Sequence, residues 1–143
     1  MLKNYLNLLE SACKNFRKSR EEITDIVLYG SAAKGKEDAR DIDIIVIFSG
    51  KSLKERQNLI QLLKAKLKKF AENIDVKSIN IEELFDPTFL ARQNIIIEGI
   101  SLLDKKPLAE KLGFRGHAIF TYNLKNFSHN KKTKFNYAIS GRA

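Results

Sequence analysis

Leu28-Tyr29-Gly30-Ser31-Ala32-Ala33-Lys34-Gly35-Lys36-Glu37-Asp38-Ala39-Arg40-Asp41-Ile42-Asp43-Ile44-Ile45-Val46 is the stretch on which the reading of this 143-residue chain turns. A β-branched run, Thr24 to Tyr29, closes on Gly30-Ser31, and a second apolar run, Ile42 to Phe48, follows; both have strand composition. Two readings compete for the segment between them. Gly30, Gly35 and Lys36 satisfy the phosphate-loop pattern G-x-x-x-x-G-K, but Glu37 follows where a Ser or Thr hydroxyl should reach Mg²⁺. The second strand also begins too soon to leave room for the helix that a parallel crossover of about a dozen residues requires. The phosphate-loop reading therefore fails.

The second reading centres on Asp41 and Asp43. Residues i and i+2 of a strand point to the same side, so the two carboxylates project together while Ile42 and Ile44 face the opposite layer. Adjacent carboxylates repel unless a positive charge sits between them. An all-oxygen donor pair favours Mg²⁺ or Mn²⁺ over zinc. An isolated D-x-D is more often a pair of exposed acids at a strand end, and what raises its weight is Gly30-Ser31, eleven residues upstream of Asp41. Gly30 lets a phosphate approach the backbone, and Ser31 adds a hydroxyl and free amides at the start of a helical turn. One element would grip a triphosphate and the next would hold the metal ions that bridge it.

Working outward, Leu2, Tyr5, Leu6, Leu9, Ala12, Cys13 and Phe16 recur at helical spacing, which predicts an amphipathic helix with Cys13 on its buried stripe. From Ser52 to about Glu72, Leu59, Ile60, Leu63, Leu67 and Phe70 mark a second helix, with Lys64, Lys66, Lys68 and Lys69 on a face read as solvated. Ile74 to Ile81 reads as a third strand, with Asp75 near its start. Later expectations are a helix around Phe89 to Ile97, an extended piece at Ile100 to Leu103, a strand from Ala118 to Tyr122 and a helix from Asn130 to Ile139. The order helix, strand, turn, strand, helix, strand predicts an α+β fold, a small mixed β-sheet backed by helices.

Composition limits the alternatives. With 43% hydrophobic and 30% charged residues the chain is globular rather than disordered. One cysteine and two histidines are too few for a disulfide framework or a structural zinc site, and fit a reducing compartment. The longest apolar run, Ile42 to Phe48, is interrupted by Asp43 and far short of the roughly 20 residues of a membrane span, so no membrane association is expected and the cytoplasm is the expected location. Net charge is +9, but all 17 acidic side chains precede residue 111, whereas residues 111–143 carry seven basic ones and six aromatics. Those aromatics are Phe114, Phe120, Tyr122, Phe127, Phe135 and Tyr137. Such interleaving suits a polyanion, neutralising phosphates and offering faces for bases to stack on. It equally suits an aromatic set docked on the core with its lysines in water.

Tyr29-Gly30-Ser31, nine residues, then Asp41-Ile42-Asp43-Ile44 resembles the signature of the DNA polymerase beta-type nucleotidyltransferase superfamily, especially its minimal, single-domain (MNT-like) members. The resemblance covers residues 1 to about 103 and implies a nucleotidyltransferase fold. It implies that Asp75 is a third carboxylate, joining Asp41 and Asp43 as catalytic and metal-holding residues for Mg²⁺ or Mn²⁺, with Gly30 and Ser31 binding the nucleoside triphosphate. The implied reaction moves a nucleoside monophosphate to an acceptor hydroxyl and releases pyrophosphate. Arg40 departs from the pattern, since many members have a small polar residue there, and the chain after Pro107 matches no feature of the family. The expected organisation is a nucleotidyltransferase domain over residues 1–106 and a basic aromatic C-terminal extension over 107–143, packed on or next to it and serving a nucleic acid or an acidic protein partner. The alternative is a non-catalytic module of the same fold, an antitoxin-like partner protein or a nucleic-acid-binding module.

Overall fold

Strand β2 (Ile42–Phe48) is the organising element: it pairs antiparallel with β1 (Ile23–Tyr29) on one side and parallel with β3 (Ile74–Asn80) on the other, while β4 (Ile100–Ser101) pairs antiparallel with β1. The sheet order is thus β3-β2-β1-β4, a mixed sheet as the element order predicts. The computed structural model describes residues 2–36 and 41–141; Glu37 and Arg40, which enter the sequence argument, lie outside them. The helices are α1 (Leu2–Arg17), α2 (Gly30–Ala33), α3 (Leu53–Leu67), α4 (Ile81–Leu84), α5 (Arg92–Glu98), α6 (Leu108–Lys111) and α7 (His129–Ile139). Among the described residues no helix is long and apolar enough to cross a membrane.

Alternation along β2 divides the core into two layers, because successive strand side chains point to opposite faces. Ile42, Ile44, Val46 and Phe48 meet Leu9, Cys13 and Phe16 of α1 and Ile60, Leu63 and Leu67 of α3. Ile45 and Ile47 meet Val27, Ile79, Leu84, Ile95 and Leu108, the smaller layer covered by α4, α5 and α6. Burial, with Glu10 beside it, pushes the Cys13 thiol up to about 12, so this cysteine is a packing residue rather than a nucleophile.

α3 makes the parallel crossover from β2 to β3, and a capping box closes its start. The Ser52 hydroxyl accepts from the Glu55 amide and the Glu55 carboxylate accepts from the Ser52 amide. The helix ends at Leu67, short of the expected Glu72, because the chain must reverse before Ile74 to place β3 alongside Ile42. Strand β3 stops at Asn80, where a second capping box, Asn80 with Glu83, starts α4. Glu83 also takes a two-pronged contact from the buried Arg56 of α3, at 2.8 and 3.3 Å, which ties the crossover helix to the end of β3.

β1 carries a bulge: Ile23 stands opposite Phe48, but Asp25 stands opposite Ile47. The irregularity lets Ile23 and Ile26 both face the α1/α3 layer and sends Asp25, only 3% exposed, toward α6. There its carboxylate accepts from the Ser101 hydroxyl at 2.7 Å and the Ile26 amide at 2.8 Å, and pairs with the Lys111 ammonium at 2.5 Å. Lys111 also pairs with Asp104. Burial works against the Lys111 charge, but its bonds to Asp104 and Asp25 outweigh that and raise it above the usual ammonium value. The turn Leu108–Lys111 is thereby fastened to β1, with Leu108 and Ala109 buried.

After Gly113 the chain contributes little to either layer. The expected strand from Ala118 to Tyr122 is not formed: no other segment among the described residues pairs with it, and Ile119 and Phe120 are both largely exposed. α7 begins at a Ser128 cap and buries none of its residues. Tyr122, Phe127 and Phe135 instead pack on one another, with ring centroids 4.7 Å (Tyr122–Phe135) and 6.2 Å (Phe127–Phe135) apart.

Candidate active site

The end of β1, the start of β2 and the start of β3 meet at one edge of the sheet. Tyr29 stands opposite Asp43 across the antiparallel pair, and Asp43 stands opposite Asp75 across the parallel one. Register partners put their side chains on the same face, so two carboxylates on adjacent strands, about 4.8 Å apart in backbone spacing, point the same way. Asp41, two residues before Asp43, shares that face. All three acids line a single open cleft of about 460 Å³ with Lys64, Lys68 and Glu72.

Gly30 supports this arrangement from below. Its φ is +73°, in the left-handed region that favours glycine, and a Cβ there would lie 2.7 Å from Asp43 Oδ2. The carboxylate therefore occupies the space that any larger residue at position 30 would take. Ser31 lies in α2 and lines a second cleft, of about 260 Å³, together with Tyr29, Gly30, Lys34, Asn94 and Glu98. Lys34 and Glu98 form an ion pair of 2.9 Å across it. Gly30 and Ser31 thus line a different cleft from the three acids, and only the close approach of Asp43 to Gly30 joins the two groups.

Electrostatics at the acids is set by their crowding and by two ammonium groups. Burial raises the Asp43 carboxyl above its ordinary value; Lys77 opposes this, and the carboxylates of Asp75 and Asp41 add to it. Lys77 leaves the same face of β3 two residues after Asp75, and its ammonium is 3.4 Å from Asp75 Oδ2. Lys64, reaching from α3, is 3.8 Å from Asp75 Oδ1. Burial raises the Tyr29 phenol, while the neighbouring Lys77 ammonium lowers it. Lys77 is itself held above the usual ammonium value, first by Tyr29 and then, against some burial, by Asp75. With the side chains so placed, no three acidic, histidine or cysteine side chains among the described residues are gathered tightly enough to enclose a metal ion.

Sequence alone assigns no role to Lys77, and it places Lys64 only on a solvated face. A signal for Lys77 exists, since it is two residues from Asp75 in a strand. None exists for Lys64, whose position depends on how α3 crosses the sheet.

The family described as Polymerase beta, Nucleotidyltransferase matches residues 11–108, more than half of the chain. The chain belongs to the polymerase beta nucleotidyltransferase family. The matched residues run from within α1 to the first residue of α6 and include every acid of the cleft. Among solved structures it is similar to a candidate nucleotidyltransferase from Sulfolobus solfataricus at 17% identity and TM-score 0.49, over 70% of this chain and 80% of that one. It is also similar to a structure of a tri-AMPylated Shewanella oneidensis HEPN toxin in complex with MNT antitoxin, at 17% identity and TM-score 0.47, over 98% of this chain and 95% of that one. A comparison with curated proteins finds no significant match.

Proposed function

We propose that this nucleotidyltransferase-fold domain is a divalent-metal-dependent enzyme that moves a nucleoside monophosphate from a nucleoside triphosphate to an acceptor hydroxyl and releases pyrophosphate. The observation that carries the reading is the in-register facing of Asp43 and Asp75, with Asp43 against Gly30 and Asp41 lining the same cleft. Such crowding of like charge is unfavourable by itself, and two lysines have been drawn to it. A hard, all-oxygen donor set fits Mg²⁺ or Mn²⁺. Asp41, Asp43 and Asp75 would hold the ion, which when bound would supply Lewis-acid polarisation of the phosphate and neutralise developing charge.

The remaining chemistry falls to the chain itself. Gly30, lacking a side chain, leaves the backbone accessible to the triphosphate, and Ser31 offers its hydroxyl. The acceptor oxygen forms a bond to the α-phosphorus, the bond from that phosphorus to the pyrophosphate oxygen breaks, and pyrophosphate leaves with the electron pair. Asp75, at the cleft side of β3, accepts the acceptor's proton. Phosphoryl-type transfer is mainly positioning and charge stabilisation, so the fixed register of β2 and β3 is the protein's main contribution. The basic segment after Gly113 favours an acceptor that is RNA or an acidic protein. Its exposed Phe120, Tyr122 and Tyr137 and the lysines of α7 supply stacking faces and charge.

The test is Mg²⁺-dependent transfer of label from α-labelled triphosphates by the full chain and by Asp43→Ala. Loss of transfer in a folded variant supports the reading. Calorimetry of nucleotide with and without Mg²⁺ separates it from a non-catalytic module, which would lack metal-dependent affinity.

A further inference from the structure

Asp75 has both carboxylate oxygens engaged by ammonium groups from different elements, Lys77 of β3 at 3.4 Å and Lys64 of α3 at 3.8 Å. Lys77 is the more informative of the two. It shares the face of Asp43 and Asp75, and its neighbours include the Tyr29 hydroxyl at the end of β1. An ammonium group at this place does electrostatically what a divalent cation would do, since it lies against one of two facing carboxylates and lowers their mutual repulsion. With Lys77 and Lys64 against Asp75, no three acids among the described residues are gathered tightly enough to enclose a metal ion.

We propose that Lys77 is a built-in counter-charge that competes with the divalent cation for Asp75, holding the carboxylates in a metal-free resting arrangement and yielding when the cation enters. The inference rests on the reading of Asp41, Asp43 and Asp75 as metal ligands. Geometry gives it direction. A cation entering beside Asp43 meets an Asp75 carboxylate that already has an ammonium against each oxygen, Lys64 on Oδ1 and Lys77 on Oδ2, so like-charge repulsion weakens the Lys77–Asp75 contact as the ion binds. The Tyr29 hydroxyl beside Lys77 remains as a partner for the released ammonium. Lys77 is then a positioning residue, acting through Asp75, and it discriminates against a bare ion arriving without a polyphosphate whose negative charge would compensate the displaced ammonium.

The side chains of Lys77 and Asp75 are 61% and 47% exposed, so the competition is modest and the fold does not depend on it. Replacing the charge by a similar shape, Lys77→Met, is expected to tighten binding of Mn²⁺ alone by roughly two- to fivefold, the range that exposed ion pairs set. Lys77→Arg, which keeps the charge, should retain the wild-type affinity.

The experiment is calorimetric titration of the full-length chain with Mn²⁺ alone, without nucleotide, for the wild type, Lys77→Met, Lys77→Arg and each in an Asp43→Asn background. Thermal melts with and without Mn²⁺ accompany it. Tighter binding and a larger Mn²⁺-induced rise in Tm for Lys77→Met, matched by wild-type behaviour of Lys77→Arg, bear the proposal out. Equal or weaker binding by Lys77→Met overturns it while leaving the metal-ligand reading in place, provided that Asp43→Asn abolishes binding. Tightening that persists with Asp43→Asn, or no Mn²⁺ binding by any variant, overturns both.

Discussion

Asp43 and Asp75 stand directly opposite each other across the parallel pair β2–β3, two acids at matching positions on neighbouring strands. Like charges so placed destabilise a sheet, on the scale of about 0.2–1 kcal/mol for a cross-strand pair. Asp43→Asn should therefore raise the Tm of the metal-free protein while lowering nucleotide transfer by about a hundredfold or more, since it removes a ligand whose charge matters most in the transition state.

The same residue fixes a pH dependence. Its folded carboxyl lies above its ordinary value, burial being the first cause, so the native state keeps this proton to higher pH than the unfolded chain does. Its contribution to stability is therefore present below the ordinary carboxylate value and lost as pH rises through the folded one. The stability advantage of Asp43→Asn should shrink on acidification through that window, as thermal melts across pH would record. An advantage that grows on acidification would contradict the assignment.

Gly30→Ala tests the turn. The left-handed backbone costs a residue with a Cβ about 1–2 kcal/mol, and the added carbon would lie 2.7 Å from Asp43 Oδ2. Because the obstructing atom is the end of a side chain, Asp43 is expected to rotate away and the fold to survive. Transfer activity should then fall by more than the loss of stability, measured by urea unfolding, accounts for.

Asp25 is a stability residue. Asp25→Ala leaves the buried Ser101 hydroxyl and the Ile26 amide without their acceptor and takes one of two carboxylates from Lys111, which keeps Asp104, a loss of about 1–3 kcal/mol. The expected outcome is a large drop in the urea midpoint with no change in metal selectivity of the folded protein. A loss below about 1 kcal/mol would show that α6 is not fastened in this way.

α7 carries Lys131, Lys132 and Lys134 and buries none of its residues. If RNA lies along it, replacing the three by glutamine should reduce the slope of log affinity against log salt by about 2, at roughly 0.7 for each single-strand phosphate that a lysine no longer neutralises. Filter binding at several salt concentrations measures this. An unchanged slope would assign the segment to a protein partner or to packing.

Much of the core was legible because it depends on local pattern. The run Ile42 to Phe48 is apolar throughout except for Asp43, so its bounds follow from composition and its two faces from the two-residue period of a strand, and both helices of the larger layer announce themselves by spacing. The positions of Asp41 and Asp43 on one face follow from that same period. What escaped depends on tertiary placement. The bulge between Ile23 and Asp25 breaks the period of β1 and hides a buried acid inside an apolar strand. Lys64 meets Asp75 only because α3 crosses at that level. The stretch Ala118 to Tyr122 has strand composition but no partner to complete a ladder, and composition alone cannot supply one. The Asn80–Glu83 box was a local signal, masked by the apolar Ile79 and Ile81 that extended the strand pattern across it.

The most direct measurement is transfer of label from α-labelled nucleoside triphosphates, with Mg²⁺, to total RNA and to cell protein, comparing the full chain with Asp43→Ala of equal helical content. The account predicts Mg²⁺-dependent labelling by the wild type, with pyrophosphate released in equal amount, and none above background with the variant. Labelling undiminished in Asp43→Ala, or a wild type that neither transfers label nor binds nucleotide more tightly with Mg²⁺, would contradict it.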